Sequence, residues 1–573
     1  MKRSPQHIRI ACVLAALAAV FGALAFRLFQ LHVLRHGTLS AEATAIRERV
    51  VHREGRRGTI VDRNGNLLAN SLSVHRIVAD PQLTASQAPV IAQKLAPLLR
   101  KDEAALVQLL TRQSRYVRLD QKIDEETLQK IRSLKLPGIS AEDQFQRSYP
   151  NAALASHVVG FVDADHKGVQ GIEASMQNYL QGQAGYEVIE RDRKGREIRS
   201  LRTEEIGPRD GYTVALTIDQ VIQHIAETEL DRAMAEHRPR AATIIVTRPR
   251  TGEILAMSCR PTFDSNNPGP APADARRNRA ISDVAEPGST FKVITVSGAL
   301  NEGIVNLADR LDCENGAFIY AGRALHDAHP FGVLSVEEIL YHSSNIGAAK
   351  IALKLGPPRL ADYISRYGFG RKTGIELPGE VSGIAHPLSR WSKLSITRIP
   401  MGHEIAVTPL QMIMAVNAVA SGGQLMKPII VKSVTDEAGN AIVQARPQLV
   451  TQCLAPRTSV LMTMALRKVV SPEGTAPKAA LDGYDVAGKT GTAQKIENGQ
   501  YVNRYYSSFI GYFPASDPQI SILISLDDPA GGAYYGGTVA GPIFKAVAEK
   551  IAQYLGMAPT MRIIDPTKVA SLS

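Results

Sequence analysis

The chain has 573 residues, of which 44% are hydrophobic and 21% are charged. This composition, without a long low-complexity tract, is typical of a globular protein with a large hydrophobic core. The length leaves room for roughly three or four domains. Its net charge of +11 raises the question of nucleic-acid binding, but lysine and arginine are scattered, and no basic–aromatic RNA motif or zinc-finger spacing occurs. We therefore expect no nucleic-acid partner, because attraction to an anionic membrane or polymer, or simply dispersed solvated charge, accounts for the excess.

The first predicted element is a membrane anchor. Residues 10–26 contain no charged or strongly polar side chain, and the apolar run continues past a single arginine. This length approaches the roughly 20 apolar residues that cross a bilayer as a helix. A cleaved signal peptide is the alternative, because residues 23–25 (Ala-Leu-Ala) resemble a cleavage site, but the run exceeds the usual ~7–15 residues of a signal core. We expect an uncleaved anchor over residues 10–30 after a short segment, residues 1–9. Flanking charge does not decide its orientation.

A second unit of mixed structure follows the anchor and extends over residues 31–215. Residues 57–65 predict a short strand that enters an Asn-Gly turn. The spacing of apolar residues predicts small helices over residues 85–135 and a helix near residues 172–181. The polar stretch at residues 191–197 predicts an exposed hairpin. Because this region carries no recognisable nucleophile, a positioning or docking role is expected.

A different pattern begins at residue 216. Asp219 is a good N-cap for a helix that runs to about residue 237 with apolar side chains on one face. Strand candidates lie near both ends of the region and helical segments lie between them. This arrangement predicts an α+β domain over residues 216–560, in which a central antiparallel sheet of sequence-distant strands is flanked by helices. The strand candidates are residues 242–247, 253–258, 484–494, 505–513 and 519–526; a terminal helix is predicted over residues 541–555, and residues 561–573 are left as a C-terminal tail.

A candidate nucleophile lies at the start of a helix in this domain. In the stretch AEPGSTFK, Pro287 and Gly288 end an extended segment, so that a helix begins near Ser289. Residues i and i+3 share a face on a helix, which brings Lys292 within reach of the Ser289 hydroxyl. The unpaired backbone N–H groups at a helix start also offer an oxyanion hole. Alone, Ser-x-x-Lys is more often a serine cap followed by a surface lysine.

Two further motifs change this interpretation. Ser-Ser-Asn at residues 343–345 follows a helix that opens with the capping-box pattern Ser-Val-Glu-Glu at residues 335–338. Lys-Thr-Gly-Thr at residues 489–492 lies in a strand candidate. The order Ser-x-x-Lys, Ser-x-Asn, Lys-Thr-Gly, each with its expected local structure, is the set known from β-lactamases and penicillin-binding proteins. Together, the three motifs predict a serine acyltransferase site.

Beyond the motifs, most of the chain resembles the class B penicillin-binding proteins. Residues 216–556 resemble their transpeptidase domain, and residues 31–215 resemble their elongated membrane-proximal pedestal, of the penicillin-binding protein dimerisation type. The resemblance implies a single-pass protein of the bacterial cytoplasmic (inner) membrane with the catalytic domain on the periplasmic, extracytoplasmic side. The overall length and short pedestal are most similar to the division (FtsI) type, with the elongation type as the near neighbour. The matching stretches are residues 216–219, 251–257, 279–280, 286–292, 488–493 and 535–537, and, in the pedestal, residues 57–62, 147–150 and 171–173.

The resemblance implies a peptidoglycan D,D-transpeptidase that works through an acyl-enzyme. Ser289 attacks the carbonyl between the two terminal D-alanines of a stem peptide. Lys292 takes the serine proton, which requires a neutral amine and therefore burial or a nearby cation such as Lys489. Ser343 relays a proton toward the leaving D-alanine, and Asn345 holds the substrate amide.

Substrate recognition is assigned to the third motif by the same resemblance. Lys489, Thr490 and Thr492 face the terminal carboxylate, with Gly491 beside them, and the N–H groups of Ser289 and Thr492 stabilise the oxyanion. β-Lactams are implied as covalent inhibitors. A polytopic glycan polymerase and other division proteins at the septum are implied as partners. The resemblance implies that no metal, nucleotide or organic cofactor is needed, and the sequence contains no Walker or Rossmann signature.

Three other functions use parts of this pattern. A β-lactamase has the same motifs but hydrolyses its acyl-enzyme quickly, a D,D-carboxypeptidase transfers the acyl group to water, and a β-lactam-binding sensor or scaffold does not turn over. We find no convincing counterpart, between Ser343 and Lys489, of the acid that activates water in class A β-lactamases. The anchor argues against a secreted hydrolase. A sensor predicts a cytoplasmic signalling domain, whereas only about nine residues precede the anchor.

Several polar and aromatic groups are interpreted as structural. The His-Asp-Ala-His stretch at residues 326–329 is interpreted as a polar loop cluster, with a metal site or a His–Asp pair as the alternative. His403 beside Glu404 is interpreted in the same way. The tyrosine pairs at residues 505–506 and 534–535 either line a substrate groove or pack against the sheet.

The sequence departs from the family pattern only outside the three motifs. Cys259 stands where a less reactive residue is usual, and residues 262–266 replace a common ending that contains proline. The cysteines show no metal-ligand spacing and are interpreted as isolated buried thiols, with a disulfide among the last three as the alternative. The four cysteines are Cys12, Cys259, Cys313 and Cys453.

Overall fold

The computed structural model of the protein describes residues 5–190, 204–497 and 499–560. The chain divides into two units. The first comprises Met1–Arg56 and Gly182–Gly211, and the second comprises Arg57–Gln181 and the chain from Tyr212 onward. The predicted hairpin at residues 191–197 and the predicted tail at residues 561–573 lie outside the described residues.

The first unit begins with a long apolar helix. The helix Pro5–Phe29 continues through a π-helical turn, Gln30–Leu34, and none of its residues is buried. It is long and apolar enough to cross a membrane. This agrees with the anchor predicted over residues 10–30. The helix His36–Arg47 follows, and the strands Glu48–Arg53, Gly185–Glu190 and Glu204–Ile206 form an antiparallel sheet in that spatial order.

The N-terminal part of the second unit is built on a long β-strand. Leu67–Ala79 pairs antiparallel with Ile139–Ser148 along most of its length and with Val117–Ile123 on its other edge. Side chains of these strands and of three helices form a separate hydrophobic cluster around Ile77 and Leu95. The helices of this part are Pro81–Thr84, Ala88–Leu99, Glu103–Leu110, Glu125–Ser133, Ser156–Val159, Gly171–Ser175 and Gln177–Leu180.

One sheet connects this part to the rest of the second unit. The strand Thr213–Leu216 pairs in parallel with Ile60–Val61 and antiparallel with Val431–Thr435. The predicted domain boundary between residues 215 and 216 falls inside this strand and stays a prediction. In spatial order, the strands of the sheet are Ala441–Gln444, Val431–Thr435, Thr213–Leu216, Ile60–Val61, Leu67–Ala79 and Val117–Ile123, with Ile139–Ser148 paired to Leu67–Ala79.

The main sheet of the second unit has five antiparallel strands, numbered here in chain order. They are β1 (Ala241–Thr247), β2 (Ile254–Arg260), β3 (Ala487–Glu497), β4 (Gln500–Phe513) and β5 (Ile520–Asp527). Their spatial order is β2-β1-β5-β4-β3. Strands from the two ends of the predicted domain therefore meet where β1 pairs with β5, and β3 is an edge strand. Every residue of β1 and β2 is buried, as expected for continuous apolar runs.

Helices cover both faces of this sheet. Neighbouring residues on a strand point to opposite faces, so two consecutive positions of β4 show what lies on each side. Ile510 of β4 lines a small cavity together with the fully buried helix Pro409–Ala420. A side chain on the next residue, Gly511, would instead meet Phe544 of the helix Gly536–Tyr554. The other helices of this region are Gln220–His237, Ala273–Arg276, Arg279–Ser282, Lys292–Asn301, Val336–Tyr341, Asn345–Leu355, Pro357–Arg366, Ser395–Arg398 and Pro456–Lys468. Its short strands are Arg310–Asp312, Ala317–Tyr320, Arg323–His326, Val333–Ser335, Ile384–Ala385, Ile405–Ala406, Gln424–Met426 and Leu449–Gln452.

Local sequence signals predicted the elements after residue 216 better than those before it. The Asp219 side chain accepts hydrogen bonds from the first turn of the helix Gln220–His237, as predicted. The prediction of helices throughout residues 85–135 is wrong over Val117–Ile123, where apolar and polar residues alternate and form a strand. The single helix predicted near residues 172–181 consists of two short helices, Gly171–Ser175 and Gln177–Leu180.

Candidate active site

The first motif places a lysine amine beside a serine hydroxyl. A 3-10 turn, Gly288–Phe291, leads directly into the helix Lys292–Asn301. The Nζ atom of Lys292 lies 2.8 Å from the Oγ atom of Ser289. The lysine side chain is fully buried, whereas Ser289 is partly exposed. The alternative interpretation of this Ser-x-x-Lys motif, a serine cap followed by a surface lysine, is therefore wrong.

The second motif supplies the other contacts of this amine. Residue Ser343 lies in a tight turn between two helices with φ of 64°. The Lys292 Nζ atom is 2.7 Å from the Ser343 carbonyl oxygen and 2.8 Å from Asn345 Oδ1. It is also 3.1 Å from the Ser343 hydroxyl. Both the backbone and the side chains of this turn thus face Lys292.

These contacts define how a neutral Lys292 amine is oriented. A neutral amine has two N–H donors and one lone pair. The carbonyl oxygen of Ser343 and the amide oxygen of Asn345 can only accept, so they take the two N–H groups. The lone pair is then free to accept the O–H of Ser289. This arrangement is the one that a general base for that serine requires.

The third motif lies on the edge strand β3. The Lys489 side chain is 1% exposed, and its Nζ atom lies 3.0 Å from the Ser343 hydroxyl, which therefore bridges the two lysines. The Thr492 hydroxyl accepts a hydrogen bond of 3.0 Å from the N–H of Gly536. A Cβ atom on Gly491 would lie 2.9 Å from the Pro287 carbonyl oxygen and 3.0 Å from Thr290 Cγ2. Only glycine therefore allows β3 to pack this closely beside the turn that carries the candidate nucleophile (the nucleophile turn, Gly288–Phe291).

Glycine also permits the nucleophile turn to be wedged between two backbones. Gly288 has φ of 56°, and a Cβ atom on it would lie 2.9 Å from the Thr492 carbonyl oxygen. On the opposite side, a Cβ on Gly402 would lie 2.2 Å from the Gly288 carbonyl oxygen. The backbone of the nucleophile turn is thereby held directly against the backbone of Thr492 on β3.

Burial controls the charge of the two lysines. It lowers the pKa of Lys292 from 10.5 to about 7, and the carboxylate of Asp327 opposes this effect. Burial, followed by the positive charge of Lys292, also holds the pKa of Lys489 well below its ordinary value. An unprotonated amine next to Ser289 is therefore accessible near neutral pH.

A second polar cluster, formed by Glu286, His403 and Tyr501, lies beside the nucleophile turn. From the sequence, His403 was interpreted as structural and the other two residues were not singled out as site residues. The Tyr501 hydroxyl lies 3.0 Å from His403 Nδ1 and 3.2 Å from the carboxylate of Glu286. Burial raises the pKa of Glu286 and lowers the pKa of His403 to about 4. Glu286 could have been suspected from its position three residues before Ser289, whereas nothing in the sequence pointed to Tyr501.

In the two tyrosine pairs, three rings form a stack and the fourth side chain, that of Tyr506, is half-buried. The rings of Tyr505 and Tyr534 stack at 3.9 Å, and those of Tyr534 and Tyr535 at 4.6 Å. Tyr506 follows Tyr505 on β4, so its side chain points to the opposite face of the sheet, where it lines a cavity with residues that precede Ser289. The stack therefore offers an aromatic surface beside Gln494 of β3, the residue with which Tyr505 pairs.

The other candidate ligands do not form a metal site or a disulfide. Within residues 5–190, 204–497 and 499–560, no group of three or more His, Cys, Asp or Glu side chains is arranged to hold a metal ion. The carboxylate of Asp327 contacts hydroxyl and N–H groups rather than an imidazole. All four cysteines are free thiols; Cys12 is exposed, and Cys259, Cys313 and Cys453 are buried.

The comparison with known families agrees with this site. Residues 242–549 match the penicillin binding protein transpeptidase domain, and residues 52–216 match the penicillin-binding protein dimerisation domain. The chain belongs to the class B penicillin-binding proteins. The family resemblance predicted from the motifs and from the matching stretches along the chain is thus confirmed.

Individual relatives match along nearly the whole chain. The probable peptidoglycan D,D-transpeptidase PenA of Neisseria meningitidis is 32% identical over 96% of this chain and 94% of its own length. The peptidoglycan D,D-transpeptidase FtsI of Escherichia coli K12 is 31% identical over 96% and 91%, respectively. The crystal structure of penicillin binding protein 3 from Mycobacterium tuberculosis in complex with aztreonam is similar with a TM-score of 0.71 and 27% identity, over 90% of this chain and 99% of that one.

Proposed function

We propose that this protein is a membrane-anchored serine D,D-transpeptidase that cross-links peptidoglycan stem peptides through an acyl-enzyme on Ser289. The observation that carries the proposal is the environment of Lys292. Its two N–H groups have acceptors at 2.7 and 2.8 Å, and its lone pair is left for the Ser289 hydroxyl at 2.8 Å. The names of the relatives PenA and FtsI support the choice of substrate.

In the acylation step, Ser289 Oγ attacks the carbonyl carbon of the penultimate D-alanine while its proton passes to Lys292. The negative charge that develops on the carbonyl oxygen is stabilised by the N–H groups of Ser289 and Thr492. The bond between carbon and nitrogen then breaks. The proton moves from Lys292 through the Ser343 hydroxyl, at 3.1 Å, to the departing amine, and D-alanine leaves.

In the second step, the amine of a neighbouring stem peptide attacks the acyl-enzyme. Its surplus proton returns through Ser343 or Lys292 to the Ser289 oxygen as the ester bond breaks. One amide bond is broken and another is formed, so the exchange balances without a further reactant. Use of water as the acceptor would instead give a carboxypeptidase, which stays the alternative outcome of the same acyl-enzyme.

Recognition of the stem peptide is assigned to β3. An extended peptide can add to the free edge of this strand through backbone hydrogen bonds. At the start of the strand, Lys489 with the hydroxyls of Thr490 and Thr492 would hold the terminal carboxylate, whose negative charge favours the protonated form of Lys489. Gly491 keeps the strand close to the nucleophile, and Asn345 binds the substrate amide.

Acylation by penicillin tests this function directly. Intact mass of the full chain in detergent, followed over time, is expected to show a stoichiometric, long-lived adduct that is absent in Ser289→Ala. An adduct that disappears within minutes, with release of opened drug, would indicate a β-lactamase. Absence of any adduct on folded wild-type protein would leave a scaffold role and overturn the proposal.

We also propose a role in division-type wall synthesis, in the inner membrane with the catalytic domain on the periplasmic side. The apolar helix Pro5–Phe29 supports the anchor, and the similarity to FtsI supports the septum as the location. A polytopic glycan polymerase and other division proteins are the partners that this role requires. Depletion is expected to give filamentous cells; rounded cells and a fusion protein at the lateral wall would favour the elongation type.

A further inference from the structure

The Ser-Ser-Asn turn has a backbone that is unfavourable by itself. Ser343 has φ of 64°, in the left-handed region, which costs a residue other than glycine roughly 1–2 kcal/mol. This conformation directs the carbonyl oxygen and the hydroxyl of Ser343 toward Lys292 together. Something in the surrounding structure must therefore hold the turn, since such strain persists only where neighbouring groups over-determine it.

The carboxylate of Asp327 supplies that restraint. Its Oδ2 atom accepts a hydrogen bond of 2.6 Å from the Ser344 hydroxyl, and its Oδ1 atom accepts from the N–H groups of Asn345 and Ile346. These N–H groups lie at the start of the helix Asn345–Leu355, where a carboxylate is the favoured cap.

The residue before Asp327 fixes the side chain of the same asparagine. The carbonyl oxygen of His326 accepts a hydrogen bond of 3.0 Å from Asn345 Nδ2. The amide of Asn345 is thereby turned so that its Oδ1 atom faces Lys292 at 2.8 Å. One loop thus orients both acceptors of the Lys292 N–H groups, the carbonyl of Ser343 and the amide oxygen of Asn345.

We propose that Asp327 is a positioning residue for acyl transfer: its carboxylate holds the Ser343–Asn345 turn in the strained conformation that orients the lone pair of Lys292 toward Ser289. This inference rests on the proposed function. It assigns a role to the His-Asp-Ala-His stretch, for which the sequence offered only a loop cluster, a metal site or a His–Asp pair.

The charge of Asp327 has a second, measurable effect. Its negative charge raises the pKa of the Lys292 amine against the dominant effect of burial. In addition to the larger effect of burial, the charge of Lys292 in turn lowers the pKa values of Lys489 and His403, and the charge of Asp327 raises the pKa of the Cys313 thiol. Loss of the carboxylate therefore lowers the pKa of Lys292, and the amine becomes neutral at a lower pH.

The test compares the rate of acylation by a fluorescent penicillin across pH 5.5–9 for the full chain in detergent. Asp327→Asn is expected to slow acylation at pH 8 at least tenfold and to move the midpoint of the pH profile to lower pH. Ser344→Ala removes one of the three contacts of the carboxylate, together with the N-cap bond from the Gly347 N–H, but keeps the charge of Asp327. It is therefore expected to slow acylation about threefold without moving the midpoint. Asp312→Asn is the matched control: it replaces an aspartate at the end of the short strand Arg310–Asp312 that also accepts a hydrogen bond from a backbone N–H, and it should leave both quantities unchanged.

The outcomes separate positioning from simple stabilisation. The inference is wrong if Asp327→Asn has the rate and the pH midpoint of the wild type. It is also wrong if the midpoint does not move and the slower rate is explained by a lower melting temperature. If Asp327→Asn does not fold, Ser344→Ala decides, and an unchanged rate in that variant overturns the inference. Wild-type protein that forms no penicillin adduct at all overturns the proposed function instead.

Discussion

The sharpest prediction concerns the pH dependence of acylation, because it tests the charge state of Lys292 directly. The side chain is fully buried, and burial lowers its pKa from 10.5 to about 7. Only the neutral amine can accept the Ser289 proton. The rate must therefore rise with pH through this pKa, the sign expected for a base that acts unprotonated.

The expected magnitude follows from the fraction of neutral amine. With a pKa of about 7, this fraction is about 0.09 at pH 6 and about 0.9 at pH 8, a tenfold rise. With an ordinary lysine pKa of ~10.4, only about 0.4% would be neutral at pH 8, roughly 200-fold less. The rate should level off above pH 8 in the first case and keep rising through pH 10 in the second.

The assay is stopped-flow acylation by a chromogenic β-lactam from pH 5.5 to pH 10, with Lys292→Arg as the companion variant. Arginine keeps the positive charge and similar length but does not lose its proton, so acylation is expected to fall at least about 1,000-fold. Lys350→Arg, in an ion pair with Glu314 outside the site, is the matched control. A rate that is flat between pH 6 and pH 8, or that rises in proportion to hydroxide up to pH 10, would refute the reasoning.

Three further predictions concern packing around the site and in the pedestal. Glu173→Gln is expected to lower the free energy of unfolding by about 3–5 kcal/mol in urea denaturation. The reason is that the buried guanidinium groups of Arg57 and Arg147 lose the carboxylate that each contacts at 2.6 Å. Gly402→Ala is expected to slow acylation at least tenfold, because a Cβ atom there would lie 2.2 Å from the Gly288 carbonyl oxygen. Thr492→Val is expected to slow acylation by penicillins about tenfold, because the hydroxyl assigned to the substrate carboxylate, and bonded to Gly536, is lost.

Each of these predictions has its own control. Glu173→Gln should leave the acylation rate of folded protein unchanged, and an unfolding free energy within 1 kcal/mol of wild type would contradict the argument from buried charge. Gly422→Ala also replaces a glycine with positive φ, but no atom lies within 4 Å of the new Cβ. This variant should acylate normally, and equal losses in both glycine variants would contradict the steric argument. Thr492→Ser should restore the rate that Thr492→Val loses.

The sequence by itself determined the local elements and the identity of the three motifs. Helix caps are encoded within a few residues, so the N-cap at Asp219 and the capping box at Ser335 were predicted and are present. The apolar run that forms the helix Pro5–Phe29 is likewise a local signal. The strands upstream were harder to predict, since the alternation in Val117–Ile123 is short and lies among helical segments.

Tertiary structure alone decided how the motifs meet and what their side chains become. Ser289, Ser343 and Lys489 are far apart in the chain. Only the order β2-β1-β5-β4-β3 with its covering helices brings Ser343 within hydrogen-bonding distance of both Lys489 and Lys292, the lysine of the Ser289 motif. The lowered pKa of Lys292 is a consequence of burial, which no spacing rule contains. The role proposed for Asp327 depends on hydrogen bonds to residues 17–19 positions away. Such contacts are set by the packing of a loop against the start of a helix, so no local sequence pattern could predict them.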